Sequence, residues 1–159
     1  MKSHLRLVPT RDMNREEWLA YRHQGIGASE VGIILGLDDY TSSVELYHYK
    51  IGSVQKFDTE GMAQFMGREH EDMIAKLWQY WDGSEEGMIR NFRADKIIRK
   101  CQRVNAYMHN PEYPWLFVSL DRKINKQGDR GEGTLELKQI SGYEADKWEA
   151  GIPPKYVTQ

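Results

Sequence analysis

The stretch Trp115-Leu116-Phe117-Val118-Ser119-Leu120-Asp121 and, beyond a turn-rich loop, the stretch Thr134-Leu135-Glu136-Leu137-Lys138-Gln139-Ile140 decide how this chain folds. Both are short, largely apolar runs, and Gln127-Gly128-Asp129-Arg130-Gly131 between them supplies turn residues. In a strand alternate side chains share a face, so Glu136 and Lys138 project together while Leu135 and Leu137 go to the other side. A hairpin brings Asp121, at the end of the first run, beside them. Two carboxylates and an ammonium on one face are what metal-assisted phosphodiester hydrolysis requires: hard oxygen ligands for magnesium, and a lysine to position or help deprotonate the attacking water. A Glu-x-Lys triplet alone arises by chance about once in every two or three chains of this length, and a salt-bridged surface hairpin produces it too. Other features must therefore decide.

Working outward, further strand-like runs cover Met88 to Phe92, Ile97-Ile98 and Val104 to Tyr107. The chain before them has helical character. Asn14-Arg15-Glu16-Glu17 reads as a capping box opening a helix through Trp18, Leu19 and Tyr21. A second helix follows Gly25-Ile26-Gly27 and stops at Gly36, and a third runs from Ser42-Ser43 to Gly52. The longest is expected from about Asp58 to Asp82, because Met62, Phe65, Met66, Met73, Ile74, Leu77, Trp78 and Trp81 recur at spacings of three and four. A short helix is expected around Tyr143 to Ala150, and Pro153-Pro154 begins another. Helices, then strands, then helices predict an α/β (α+β) fold with a central mixed sheet flanked by helices. The expected organisation is a single domain over 1–159, with a helical portion at 12–83 and the sheet and following helices at 86–159.

Composition narrows the function classes. The 159 residues suit one compact core, and 40% hydrophobic with 29% charged residues fits a globular protein rather than a disordered one. No apolar run approaches the roughly 20 residues that span a bilayer, and the N-terminal segment has no signal-peptide core, so a cytoplasmic protein without membrane contact is expected. Cys101 stands alone, which excludes an internal disulfide and a zinc-thiolate cluster. The formal charge of −2 disfavours a simple basic nucleic-acid binder. That total hides a segregation: Asp58 to Gly87 holds eight acidic residues against Arg68 and Lys76, whereas Arg90 to Arg103 holds six basic residues against Asp95. Such a pattern arises from two solvated faces, or from a polyanion-contacting stripe beside a carboxylate-rich metal site.

Two more constellations carry chemistry. Arg22 and Ser29 flank Gly25, Gly27 and Ala28, so a guanidinium and a hydroxyl can converge at the start of the second helix as a phosphate seat. Ser29 as an ordinary cap and Arg22 as a surface residue would give the same letters. Glu71 lies in mid-helix beside an apolar stripe, where a carboxylate needs a partner and a metal site would supply one. The five histidines show no metal-ligand spacing; His23 is notable only for adjoining Arg22. The tryptophans read as core or interface anchors.

Taken in order, Arg22-x-x-Gly25-Ile26-Gly27-Ala28-Ser29-Glu30, Gly67-Arg68-Glu69-His70-Glu71, Ser119-Leu120-Asp121, Glu136-Leu137-Lys138 and Trp148-x-x-Gly151-x-Pro153-x-x-Tyr156-x-x-Gln159 resemble the YqaJ and lambda exonuclease group of PD-(D/E)XK nucleases. The resemblance implies a restriction-endonuclease-like core. It implies magnesium or manganese held by Asp121, Glu136, the Leu137 backbone carbonyl and Glu71, with Lys138 serving the nucleophilic water and Gln159 approaching the site. Arg22 and Ser29 would hold a 5′ phosphate. The implied activity is 5′-to-3′ digestion of double-stranded DNA from its ends in phage-type recombination, with a single-strand annealing protein as partner and a homotrimeric ring as assembly. Leu120 replaces the proline usual before the first aspartate, and 14 residues separate Asp121 from Glu136, a longer hairpin than is typical. The family continues past the position of Gln159, so a C-terminally truncated chain is expected. A non-catalytic DNA-end-binding or interaction module, or an endonuclease of the same superfamily, are the alternatives.

Overall fold

The computed structural model describes residues 5–54, 61–140 and 142–158. In chain order the elements are β1 (Arg6–Pro9), α1 (Arg15–Arg22), β2 (Ile26–Gly27), α2 (Ala28–Ile34), α3 (Ser43–Lys50), α4 (Met62–Gln79), α5 (Glu85–Arg93), β3 (Cys101–Arg103), β4 (Ala106–His109), β5 (Leu116–Ser119), β6 (Arg122–Ile124), β7 (Gly133–Leu135), a 3-10 turn (Gly142–Glu144), α6 (Ala145–Glu149) and α7 (Pro154–Val157). The fold class is α+β, as the sequence reads. Its strands form a four-stranded sheet ordered β1-β4-β5-β2 and a three-stranded sheet ordered β3-β6-β7, in place of one central sheet. The chain divides into two compact units: Met1–Asp58 with Asn105–Ser119 and Ile140–Gln159, and Thr59–Val104 with Leu120–Gln139. Among the described residues no helix is long and apolar enough to cross a membrane.

In the first unit the four-stranded sheet is mixed, since β2 runs parallel to β5 while β1 and β5 both pair antiparallel with β4. The Asn14 side chain accepts the Glu17 amide and Glu17 reaches back to the Asn14 amide, both at 2.9 Å, so α1 starts where its capping box predicts. It docks by rings. Tyr21 stacks on Tyr107 at 5.0 Å, and Phe117 meets Tyr107 edge-on at the same distance. Tyr107 and Phe117 are buried. His109 lies beneath them: the Pro114 carbonyl can only accept, so Nδ1 donates to it at 2.8 Å, and the Tyr21 hydroxyl sits 2.7 Å from Nε2. At Gly25 a Cβ would stand 2.3 Å from the Trp115 carbonyl oxygen, so only glycine lets the chain pass there into β2. Trp148 of α6 stacks on Tyr156 of α7 at 5.2 Å.

The second unit combines α4 and α5 with the antiparallel three-stranded sheet. Tyr80, just past α4, meets Phe92 of α5 edge-on at 5.2 Å, and Asn91 donates to the Tyr80 carbonyl and to Asp82 at 3.1 Å each. Alternation in β6 sends Arg122 and Ile124 inward and leaves Lys123 half-buried.

Several sequence expectations need correction. Met88 to Phe92 is part of α5, because Ser84 caps it by accepting the Gly87 amide, acids fill its first turn and arginines its last. Ile97-Ile98 is no strand: Asp95 at φ 48° turns the chain, and the Ile98 and Arg99 amides both bond the Gln79 carbonyl. The longest helix ends at Gln79, with Trp81 and Asp82 in the loop beyond; its expected start at Asp58 lies outside the described residues. The run from Thr134 contributes a strand only to Leu135, so Glu136 and Lys138 follow β7. Strand β1 and the short β3 carry no alternating pattern that would announce them.

Candidate active site

The β6–β7 hairpin pairs Arg122 with Leu135, which sets the residue before β6 against those after β7. Asp121 is that residue, and its Oδ2 accepts the Leu137 amide at 2.7 Å. Burial pushes the Asp121 carboxyl above its ordinary value, and the charges of Glu136 and Glu71 add to the rise, against the Leu137 N–H and the Lys138 ammonium. Lys138 Nζ donates to Glu136 Oε1 at 2.5 Å. Asp121 thus lies against Leu137 and feels the charges of Glu136 and Lys138, which pair with each other past the end of β7 and not on the strand face that the sequence suggests.

Glu71 is engaged differently. Its Oε1 receives Arg122 Nη1 at 2.5 Å and Arg103 Nη2 at 3.2 Å, and the second Arg122 nitrogen reaches Asp72 at 2.5 Å. Arg122 is only 4% exposed and also donates to the Asp121 carbonyl. The partner that a mid-helix carboxylate needs is here a guanidinium. Among the described residues, no three His, Cys, Asp or Glu side chains stand close enough to hold a metal ion together. The donor chemistry nevertheless fits a hard divalent cation: carboxylate oxygens dominate, and Asp121 already carries the repulsion of two neighbouring carboxylates that such a cation would relieve.

Arg22 and Ser29 also come together, in the first unit. Arg22 Nη2 donates to Ser29 Oγ at 3.2 Å and to Glu30 Oε1 at 3.4 Å, and its guanidinium carbon lies 4.9 Å from the Trp18 ring centre. The Gly27 amide at the start of α2 is already taken, because Glu30 Oε2 accepts it at 2.8 Å. Gly25 makes its close approach to the Trp115 carbonyl. His23 rests against the Tyr49 ring at 4.3 Å. Gln159 lies outside the described residues.

Sequence reasoning missed Arg122, Arg103 and Lys50. Arg122 adjoins Asp121 and its inward position follows from strand alternation, so a signal existed. Lys50 stands 28 residues from Arg22, whose carbonyl it contacts, and nothing local marks it. Burial pushes the Cys101 thiol up, in keeping with an unreactive cysteine.

A family model described as the YqaJ-like viral recombinase domain matches residues 17–159. The uncharacterized protein YqaJ of Bacillus subtilis (strain 168) is 31% identical over 154 residues, covering 96% of this chain and 42% of that protein. The chain therefore spans less than half the length of this curated relative. No solved structure matches the chain.

Proposed function

The chain belongs to the YqaJ-like viral recombinase domain family, and from that premise we propose that it is a metal-dependent DNA nuclease, a 5′-to-3′ exonuclease acting on ends of double-stranded DNA in recombination. One observation carries the reading: the half-buried, upshifted Asp121 carboxyl held at the Leu137 amide, with Glu136 and Lys138 on either side of that residue. Asp121, Glu136 and the Leu137 carbonyl would hold magnesium or manganese, with Glu71 joining them only by leaving its guanidinium partners. When bound, the cation supplies charge stabilisation at the scissile phosphate and a more acidic water. Lys138, steadied by Glu136, orients that water and takes or shares its proton. The Leu137 N–H holds Oδ2 of the Asp121 carboxylate, which would leave Oδ1 to serve as the ligand oxygen. Arg22 and Ser29 receive a terminal 5′ phosphate, the guanidinium contributing charge and paired donors and the hydroxyl one further bond.

The test sets 5′-phosphorylated linear, hydroxyl-ended linear and closed circular duplex side by side, with magnesium and with EDTA. Linear DNA should be degraded only with magnesium, the phosphorylated form fastest, and the circle should survive. Lys138→Ala should lower the rate by about 100-fold or more, the scale of a lost general base. Cleavage of the circle would indicate an endonuclease. DNA binding without hydrolysis would favour an end-binding module, a reading that the engagement of Glu71 by two guanidiniums supports.

A further inference from the structure

Glu30 and Lys50 have no part in the chemistry above, yet they are the most buried charges around Arg22. Glu30 is 5% exposed, and the Lys50 side chain is 12% exposed. The Lys50 ammonium, at the end of α3, forms an ion pair with Glu30 Oε2 at 2.8 Å and donates to the Arg22 carbonyl at 2.5 Å and to the Gly25 carbonyl at 2.7 Å. With two carbonyls and a carboxylate around it, the Lys50 ammonium is committed inside the protein and not offered to a ligand. The Glu30 carboxylate is engaged on both oxygens: Oε2 faces Lys50 and accepts the Gly27 amide, and Oε1 accepts from one nitrogen of Arg22.

The distances rank the two cations. Lys50 stands at 2.8 Å and Arg22 at 3.4 Å, so the carboxylate is neutralised mainly by the lysine. Arg22 lies over the Trp18 ring and hydrogen-bonds only weakly, through Nη2; its Nε and Nη1 have no hydrogen-bond acceptor among the described residues. A buried carboxylate without Lys50 would have Arg22 as its one cationic neighbour. It would draw the guanidinium inward and cancel the charge that an anion needs.

We propose that Lys50 is the positioning residue of the Arg22–Ser29 anion seat: it neutralises Glu30, so that Glu30 can orient the Arg22 guanidinium without consuming its charge, and a terminal phosphate finds one uncompensated cation. This rests on the reading of Arg22 and Ser29 as the phosphate seat. Charge balance makes it specific. Glu30, Lys50 and Arg22 together carry one net positive charge. Removing Lys50 leaves none, and removing Lys50 and Glu30 together restores one. A lysine that merely pins the 22–25 backbone would give a double variant no better than the single one.

The experiment measures binding of a short duplex, with a 5′ phosphate or a 5′ hydroxyl, by fluorescence anisotropy in EDTA, so that cleavage does not enter. The wild-type protein should prefer the phosphorylated end and Arg22→Ala should lose that preference; a wild type indifferent to the phosphate overturns the seat and this proposal with it. Lys50→Met should reduce the preference about tenfold, the scale of a hydrogen bond to a charged group, with hydroxyl-ended binding little changed. Glu30→Gln with Lys50→Met should return it to within about threefold of wild type. A preference that survives Lys50→Met while disappearing in Arg22→Ala overturns the positioning role and leaves the seat standing. Should Lys50→Met fail to fold, the double variant decides alone, because it contains neither buried charge: a folded double variant with no phosphate preference overturns the proposal, and a restored one supports it.

Discussion

Asp121 shows how a single half-buried carboxyl can lower the stability of the fold that holds it. Its folded-state value lies above the ordinary 3.8 because burial and two neighbouring carboxylates disfavour the charge. The unfolded chain therefore releases this proton first as pH rises. Between the ordinary value and the raised one the native state binds more protons, so Asp121 lowers stability progressively through that window and fully above it. Asp121→Asn should accordingly melt higher than the wild type at about pH 7 in EDTA, and the difference should shrink as the pH falls toward about 4. Magnesium should raise the wild-type melting temperature and leave that of the variant unchanged. Thermal melts across pH, with and without the cation, check this; a variant less stable than wild type at neutral pH in EDTA contradicts it. The residue types of this site were legible in the sequence because the hairpin alone sets Asp121 against the residues that follow Leu135, although Glu136 and Lys138 lie past the strand whose alternation would align them. The engagement of Glu71 was not, because no local pattern tells whether a half-buried carboxylate meets a metal or an arginine.

The elements differ in how openly the sequence declares them. α1 and α3 begin with reciprocal side-chain caps at Asn14 and Ser42, which are local signals, and both lie where those signals put them. Met88 to Phe92 has apolar residues four apart, equally suited to a helix face, and the Ser84 cap decides in favour of the helix. β1 needs β4 to exist at all, so only a long-range pairing reveals it. Within the second unit, Arg122 plays the same long-range role between α4 and the hairpin: its guanidinium spans Glu71 and Asp72 and holds the Asp121 carbonyl. Replacing it with methionine keeps the bulk but strands Glu71 with only the exposed Arg103. Arg122→Met should cost about 2–4 kcal/mol of unfolding free energy, toward the lower part of the range for broken buried pairs because Asp72 is mostly exposed. Arg122→Lys, which keeps the charge and loses the fork, should fall between the two. Denaturant titration of the three proteins measures it, and equal stability of Arg122→Met and wild type would deny the guanidinium this role.

At the scale of the whole chain, the charge of −2 argues against DNA only if charge is averaged. Much of the acidic stretch is already committed: Glu71 and Asp72 to Arg122 and Arg103, and Asp82 to Arg90. In the basic stretch, Arg90 and Arg103 are spent on those same acids, and Arg99 donates to the Gly131 carbonyl. Arg93, Lys96 and Lys100 remain exposed, with no ion-pair partner among the described residues. Affinity for duplex DNA should therefore follow these three cations and not the net charge. Each phosphate neutralised contributes about 0.9 to the slope of log affinity against log salt. Replacing Arg93, Lys96 and Lys100 together with glutamine should flatten that slope by about 2–3 and weaken binding most at low salt, with the preference for a 5′ phosphate unchanged. Anisotropy titrations on hydroxyl-ended duplex across a salt series read both quantities. An unchanged slope would mean that the polyanion track runs elsewhere, and that the segregation of charge along the sequence marks only solvated faces.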